Sequence, residues 1–346
     1  MVEERASLAA GGGLVRETLD GQGWLLASVM APRVSLFSPT NGSLLLHLNG
    51  GPMFQRALIC TDFTDGMYRL AQFVPSLAAG GFKSLVFFHS VSLESGREIP
   101  REDPELLEKP RQRLKELLRE VPSDIDVTVE VQLGRASDSI LRLAKQHQSD
   151  VIFLGTPTRT LLEEKLFGST TANLAEKTTV PMVILRPQLI STYTTAELKL
   201  RCAHLFRYLL VPYDGTEGGK KIIQKIHQQV KRNPNSVLER VRLLWVIDDN
   251  VRRELHGDNP MQRAKQDLDK LQADLAALGL VVNTTIVEGN PLLEIMKTAE
   301  THDVGAIATC SRNIGGILRW SAPSLTREIL RCSWHPVLFF PTVERS

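Results

Sequence analysis

The chain has 346 residues, length enough for two buried cores, with 42% apolar residues, 23% charged residues and a formal net charge of +2. That balance is ordinary for a soluble globular protein and gives no global bias toward nucleic acid or a membrane surface. The longest apolar runs, such as 151–154 and 337–340, have strand length and cannot span a bilayer.

Cys60, Cys202, Cys310 and Cys332 show no CxxC or paired spacing, which fits a reduced, cytoplasmic chain better than a disulfide framework or a zinc site. Residues 1–52 are rich in Gly, Ser, Ala and turn formers, with one apolar patch at 24–29. Glu3 and Glu4 stand where a secretory signal would be positive. The Gly11–Gly13 triplet follows no strand and precedes no GK[ST], so it is not a phosphate loop. We expect an N-terminal extension over 1–52, weakly ordered or packed as an accessory.

From Arg56 onward, β-rich apolar runs alternate with helical periodicity. "RALICTDFTDG" is a buried strand ending near Asp62, and "MYRLAQFVPSLAAGG" a helix that Pro75 must kink or split. "SLVFFHSV" is a second strand. Leu114, Leu117, Leu118 and Val121 make an amphipathic stripe. "DVTVEVQLG" is a third strand, "ASDSILRLAKQHQS" a helix, "DVIFLG" a fourth strand, 169–177 a helix and "VPMVILRP" a fifth strand. Strands alternating with helices imply βαβ crossovers and a parallel sheet covered on both faces.

The same order then recurs. "RYLLVPYDGTEG" sets Asp214 where Asp62 stood, "VRLLWVID" parallels "SLVFFHSV", and Leu268, Leu271, Leu275 and Leu278 give the amphipathic helix. Gly289 follows Gly134 by 155 residues, and Pro336 follows Pro181 by the same 155. A constant offset over several elements marks a tandem duplication. The expectation is two domains, 53–188 and 205–346, joined by a linker at 189–204. Each holds five strands and reads as a parallel α/β domain; the fold that the resemblance below implies makes it a sandwich whose fifth strand meets that of the other copy in a pseudo-dimer.

The stretch from Gly155 to Ser169 is longer than a strand-to-helix connection needs, which is about 2–6 residues. It lies at the carboxyl edge of the sheet, where ligands of open parallel sheets bind. Gly155 and Gly168 permit close backbone approach, and a helix opening on Ser169 and Thr170 turns N–H groups and partial positive charge toward an anion. Asp62 shares that edge and suits a ribose hydroxyl or a metal ion held by phosphates. Taken singly, Ser169 and Asp62 read as plain helix caps and Gly168 as a turn residue; the set at one edge is what points to a phosphate cradle.

The spacing G155-x2-T158-x9-G168-S169, between "DVIFL" and "VPMVILRP", resembles the universal stress protein signature G-x2-G-x9-G-[ST], together with "ICTDFTD" and "FFHSV" upstream. The resemblance covers about 54–187 and returns more weakly over about 206–341. It implies an adenine-nucleotide α-hydrolase-like fold that pairs through its last strand, and ATP binding in the first half. Carried over by position, Asp62 would meet the ribose or Mg2+, and Cys60 and Thr61 would flank the adenosine. Ser90, after the family's histidine position at His89, would offer backbone groups to adenine. Gly155, Thr156, Thr158, Gly168, Ser169 and Thr170 would line the phosphates. Thr158 departs from the pattern by replacing its second glycine. In the second copy Cys310, Asn313, Pro323 and Ser324 stand for Gly155, Thr158, Gly168 and Ser169, so that site is expected to be degenerate.

The basic helix at 220–232 carries Ile222, Ile223 and Ile226 on an apolar side and reads as a solvated face, without the aromatics of a nucleic-acid contact. No nucleophile–base pair, carboxylate dyad or P-loop lysine is assignable, so at most slow ATP hydrolysis is expected. The leading expectation is a cytosolic ATP-binding stress-response or regulatory protein. Its partners would be an adenine nucleotide and an unidentified protein, with no nucleic acid or membrane, and further homodimerisation is left open. The alternatives are a tandem stress protein that acts as an interaction module without nucleotide, and an ATP-dependent synthetase, which would need an SGGxDS-like loop where "CTDFTDG" stands.

Overall fold

Each half is written as strand, helix, strand, and the chain follows that order in space. A computed structural model describes residues 53–63, 66–91, 104–118, 120–156, 169–233, 236–248, 259–310 and 324–341. All lie in one unit, Leu48–Ser346. The expectation for 1–52, and the loop positions Thr158, Gly168, Asn313 and Pro323, lie outside the described residues.

The first half runs β1 (Arg56–Thr61), a 3-10 turn (Met67–Phe73), α1 (Val74–Ala79), β2 (Ser84–Val91), α2 (Pro104–Leu117), β3 (Asp126–Leu133), α3 (Ala136–Gln146), β4 (Val151–Gly155), α4 (Ser169–Lys177) and β5 (Met182–Leu185). Then α5 (Pro187–Thr192) and α6 (Thr195–His204) bridge to the second half. That half runs β6 (Tyr208–Pro212), α7 (Glu217–Arg232), β7 (Arg240–Ile247), α8 (Pro260–Ala276), β8 (Val281–Glu288), α9 (Pro291–Thr301), β9 (Ala306–Cys310), α10 (Leu325–Cys332) and β10 (Val337–Phe340).

Pro75 does split the first helix: the turn before it is 3-10, and the proline stands in the first turn of α1, where its missing N–H has no helical partner to lose. The stripe expected through Val121 ends earlier. The helix stops at Leu117, and Val121, which Pro122 disfavours from helical geometry, is 42% exposed.

The ten strands form one sheet in the order β3-β2-β1-β4-β5-β10-β9-β6-β7-β8. Every neighbouring pair is parallel except β5 and β10, which run antiparallel with Met182, Val183 and Ile184 opposite Phe339, Leu338 and Val337. Val183 and Leu338 are 155 residues apart (338 − 183), the repeat offset itself, so equivalent residues face each other. A local two-fold therefore passes through that pair, as at the interface of a symmetric dimer. The expected tandem pseudo-dimer with fifth strands at the junction is what the chain builds.

Both faces are buried, so the strands read as continuous apolar runs whose alternate residues enter opposite cores. Ile59, Phe87, Phe153, Val183 and Leu338 face the layer that holds Leu77 of α1, Leu198 of α6 and Ile226 of α7. Leu58, Phe88, Ile152, Ile184 and Phe339 face the layer of α3, α4, α9 and α10, with Leu143, Leu174, Ile295 and Ile329. The isoleucines of α7 are buried while its lysines face outward, which gives the basic helix its solvated side.

The segment between the halves is structured. Thr194 accepts from the Glu197 N–H at 3.3 Å, and the Glu197 carboxylate accepts from the Thr194 N–H at 2.7 Å, a capping box written in the sequence as Thr-x-x-Glu. The end of α6 is wedged between backbones of both halves. A Cβ on Gly80 would lie 2.7 Å from the Cys202 carbonyl oxygen, and one on Gly305 would lie 2.7 Å from that of Leu205. Arg69 donates to the Ile190 and Tyr193 carbonyls, tying the 3-10 turn to α5. Arg186 donates to the carbonyls of Arg331 and Ser333 at the end of α10 and stacks 4.6 Å over Trp334.

Candidate functional site

Topology brings the ends of β1 and β4 together at the point where strand order reverses, with β2 on the far side of β1. Ile59 pairs with Phe153, and the two strands end two residues later, at Thr61 and Gly155. Asp62 follows at once and is exposed. Phe63 takes a left-handed φ of 65°, its N–H donating to the Thr61 hydroxyl at 3.0 Å. Its ring lies 4.6 Å from that of His89 and 4.5 Å beneath the Arg113 guanidinium.

The neighbouring residues are tightly engaged. His89 Nδ1 donates to the Thr61 carbonyl at 2.8 Å, since a carbonyl only accepts. Burial holds the His89 pKa below its usual value, against the Thr61 hydrogen bond and the nearby Asp62 charge, so the ring is neutral with its proton on Nδ1. The Ser90 hydroxyl donates to the Gly134 carbonyl at 2.9 Å. Thr61 is buried and Cys60 packs into the core layer of α3 and α4, so neither side chain is an open wall of this edge.

Among the anticipated phosphate-lining residues, Gly155 ends β4 opposite Leu185. The Thr156 amide continues that ladder by donating to the Leu185 carbonyl at 2.9 Å, so that N–H is already engaged. Helix α4 begins at Ser169, as the sequence indicated, and Thr170 is half-buried in its first turn. Among the described residues, no group of three or more His, Cys, Asp or Glu could hold a metal ion. Mg2+ at Asp62 would need its other ligands from a nucleotide and water.

The corresponding edge of the second half carries a feature that sequence reasoning missed, a cavity of about 680 Å3 at the ends of β6, β7 and β9. Tyr213 stands there in the place of Thr61 and Trp245 in the place of His89, their rings 5.5 Å apart at 66°. Gly219 makes room for this pair, since a Cβ there would approach the Tyr213 ring to 2.9 Å. Asp214 accepts from the Thr216 N–H at 3.1 Å and the Thr216 hydroxyl at 2.5 Å, which stitches the strand end to the N-cap of α7. Cys310 is buried, with its thiol directed at the Gly218 carbonyl at 3.1 Å. The hydroxyl of Thr326 donates to the Cys310 carbonyl at 2.8 Å, and Ser324 caps α10 by accepting from the Arg327 N–H at 3.2 Å. The signal for this wall was legible in "VPYDG" and "LLWVID", where aromatics replace small or polar residues of the first copy.

The model of the universal stress protein family matches the chain twice, over residues 53–186 and 206–341. The chain belongs to the universal stress protein family. Its fold is similar to that of a universal stress protein from Archaeoglobus fulgidus DSM 4304, at 18% identity over 83% of this chain and 96% of that one, with a TM-score of 0.58. A functionally unknown protein from Pseudomonas aeruginosa PAO1 has the same fold at 13% identity, over 83% of this chain and 92% of that one, with a TM-score of 0.51. A further family member, 19% identical over 39% of this chain and 98% of its own (TM-score 0.28), was solved in complex with cAMP. No curated protein matches the chain. Among the described residues, no helix is long and apolar enough to cross a membrane.

Proposed function

We propose that this family member is a cytosolic, ATP-binding stress-response or regulatory protein whose nucleotide sits in the first half. The observation that supports the reading is that β1, which Asp62 follows, and β4, which Gly155 ends, are neighbouring parallel strands, with the first turn of α4 next in the described chain. That turn opens on Ser169 and Thr170, and free N–H groups at a helix start suit phosphate. Asp62 would take a ribose hydroxyl or Mg2+, the backbone around Ser90 the adenine, and Gly155, Thr156, Thr158, Gly168, Ser169 and Thr170 the phosphates. Cys60 and Thr61 would support the adenosine through their backbone, because their side chains are buried. The role proposed is binding that sets conformation or partners, since the residue set holds no lysine on the phosphates and no paired base.

Mass spectrometry of the ligand released from the purified, denatured protein tests this reading. An adenine nucleotide in near-stoichiometric amount is expected. A ligand-free chain that also fails to take up added ATP would favour an interaction module instead, the alternative to which Thr158 points.

A further inference from the structure

The second-half cavity has a wall unlike a phosphate cradle. Among the described residues lining it, three carboxylates, Asp214, Asp248 and Glu328, face one guanidinium, Arg263. Negative potential in a partly enclosed cleft repels a polyphosphate and concentrates cations. The hydroxyls of Ser324 and Thr326, at the helix start where phosphate would sit, are already hydrogen-bonded within the protein.

Two features indicate what the cavity takes in their stead. The first is the aromatic pair Tyr213 and Trp245, since the face of an indole or phenol ring attracts an ammonium group within about 6 Å. The second is the position of Tyr213, which is only 5% exposed and yet lines the cavity. Burial first, and Asp267 next, hold this phenol above its usual range, so it remains a neutral O–H whose oxygen can accept. Leu244, Ile295 and Ile329 add apolar surface.

We propose that the second-half cavity binds a small organic ammonium, a primary amine with an apolar or aromatic body. Its N–H groups would donate to the carboxylates and the Tyr213 oxygen while its body lies against Trp245. The proposal stands apart from the nucleotide reading of the first half.

Calorimetric titration of the full chain with phenethylammonium chloride, and separately with its neutral isostere 2-phenylethanol, tests it. The ammonium should bind at one site with roughly tenfold preference over the alcohol, and saturating Mg-ATP should not displace it. Trp245→Leu should weaken binding by roughly fivefold or more, and Tyr213→Phe, which keeps the ring, by roughly threefold or more. Should Trp245→Leu fail to fold, Tyr213→Phe and the matched probe pair still decide. Equal affinity for alcohol and ammonium, no saturable ammonium binding, unchanged affinity in Tyr213→Phe, or displacement by Mg-ATP would each overturn the proposal.

Discussion

The two halves share a strand order and a repeat offset, yet their carboxyl edges are finished with different chemistry. In the first, a neutral His89 is pinned to the Thr61 carbonyl, and Gly155 leads from β4 toward α4. In the second, Tyr213 and Trp245 occupy the positions of Thr61 and His89, and a buried Cys310 stands for Gly155. The strands themselves are interchangeable in character, because each is buried on both faces and needs only apolar residues of suitable size. The residues at and just past each strand end carry little of the core, so they can diverge without unmaking the fold. The duplication thus keeps one scaffold while its two edges carry different side chains.

The largest expected effect breaks the scaffold common to both halves. Val183 and Leu338 face each other at the local two-fold and are fully buried. Val183→Asp sets an unpaired carboxylate there and should cost about 4 kcal/mol or more, or abolish folding. Urea denaturation reads this directly; a loss under about 1 kcal/mol would mean that β5 and β10 do not join the halves.

A smaller effect should come from the wedge of α6. Gly305→Ala drives a methyl into the Leu205 carbonyl, and Gly80→Ala does the same at Cys202, each costing about 1–3 kcal/mol. Because both press on the end of one helix, the double variant should lose less than the sum of the singles. Strict additivity would show that the two contacts are independent. Arg186→Ala removes hydrogen bonds to the end of α10 and the stack on Trp334, and should cost about 1–2 kcal/mol by the same denaturation assay.

Much of this architecture is readable in the residues, because alternation along strands and the 155-residue offset are local or periodic signals. The matching runs after Pro181 and Pro336 mark the fifth strands, but that they meet was implied by the family resemblance and not by the offset. What escaped the sequence depends on long-range packing. Periodicity alone extended the second helix to Val121, although Pro122 ends it sooner. The Thr194-x-x-Glu197 box was visible, but its docking against both halves rests on backbone approaches to Gly80 and Gly305. At the carboxyl edge of the first half, the strand ends before Asp62 and at Gly155 were legible as the ends of apolar runs, whereas the burial of Cys60 and the engaged amide of Thr156 required the register. Tyr213 and Trp245 are 32 residues apart (245 − 213), and only the β6–β7 pairing makes them neighbours.

The smallest expected effect is a pH dependence contributed by both halves. Burial lowers the pKa of His89 and of His335 from the usual 6.5, opposed at each by a hydrogen bond to a backbone carbonyl, Thr61 and Val304 respectively. The fold therefore prefers both rings neutral. Their contribution is intact above about pH 6.5 and is lost as pH falls below it, where the unfolded chain takes up protons that the folded one refuses. Asp150, whose pKa burial raises, acts in the opposite sense within the carboxylate range. Thermal melting should thus occur at lower temperature near pH 5.5 than near pH 8, and His335→Gln should flatten the difference.

The contrast between the two edges is tested most directly by counting ATP. Calorimetric titration of the full chain with Mg-ATP should give a stoichiometry near one. Asp62→Ala should weaken that binding by about 1–3 kcal/mol through a lost charged hydrogen bond, Gly168→Val should abolish it, and Ser324→Ala should leave it unchanged. A stoichiometry near two, or binding indifferent to Gly168→Val, would contradict the account.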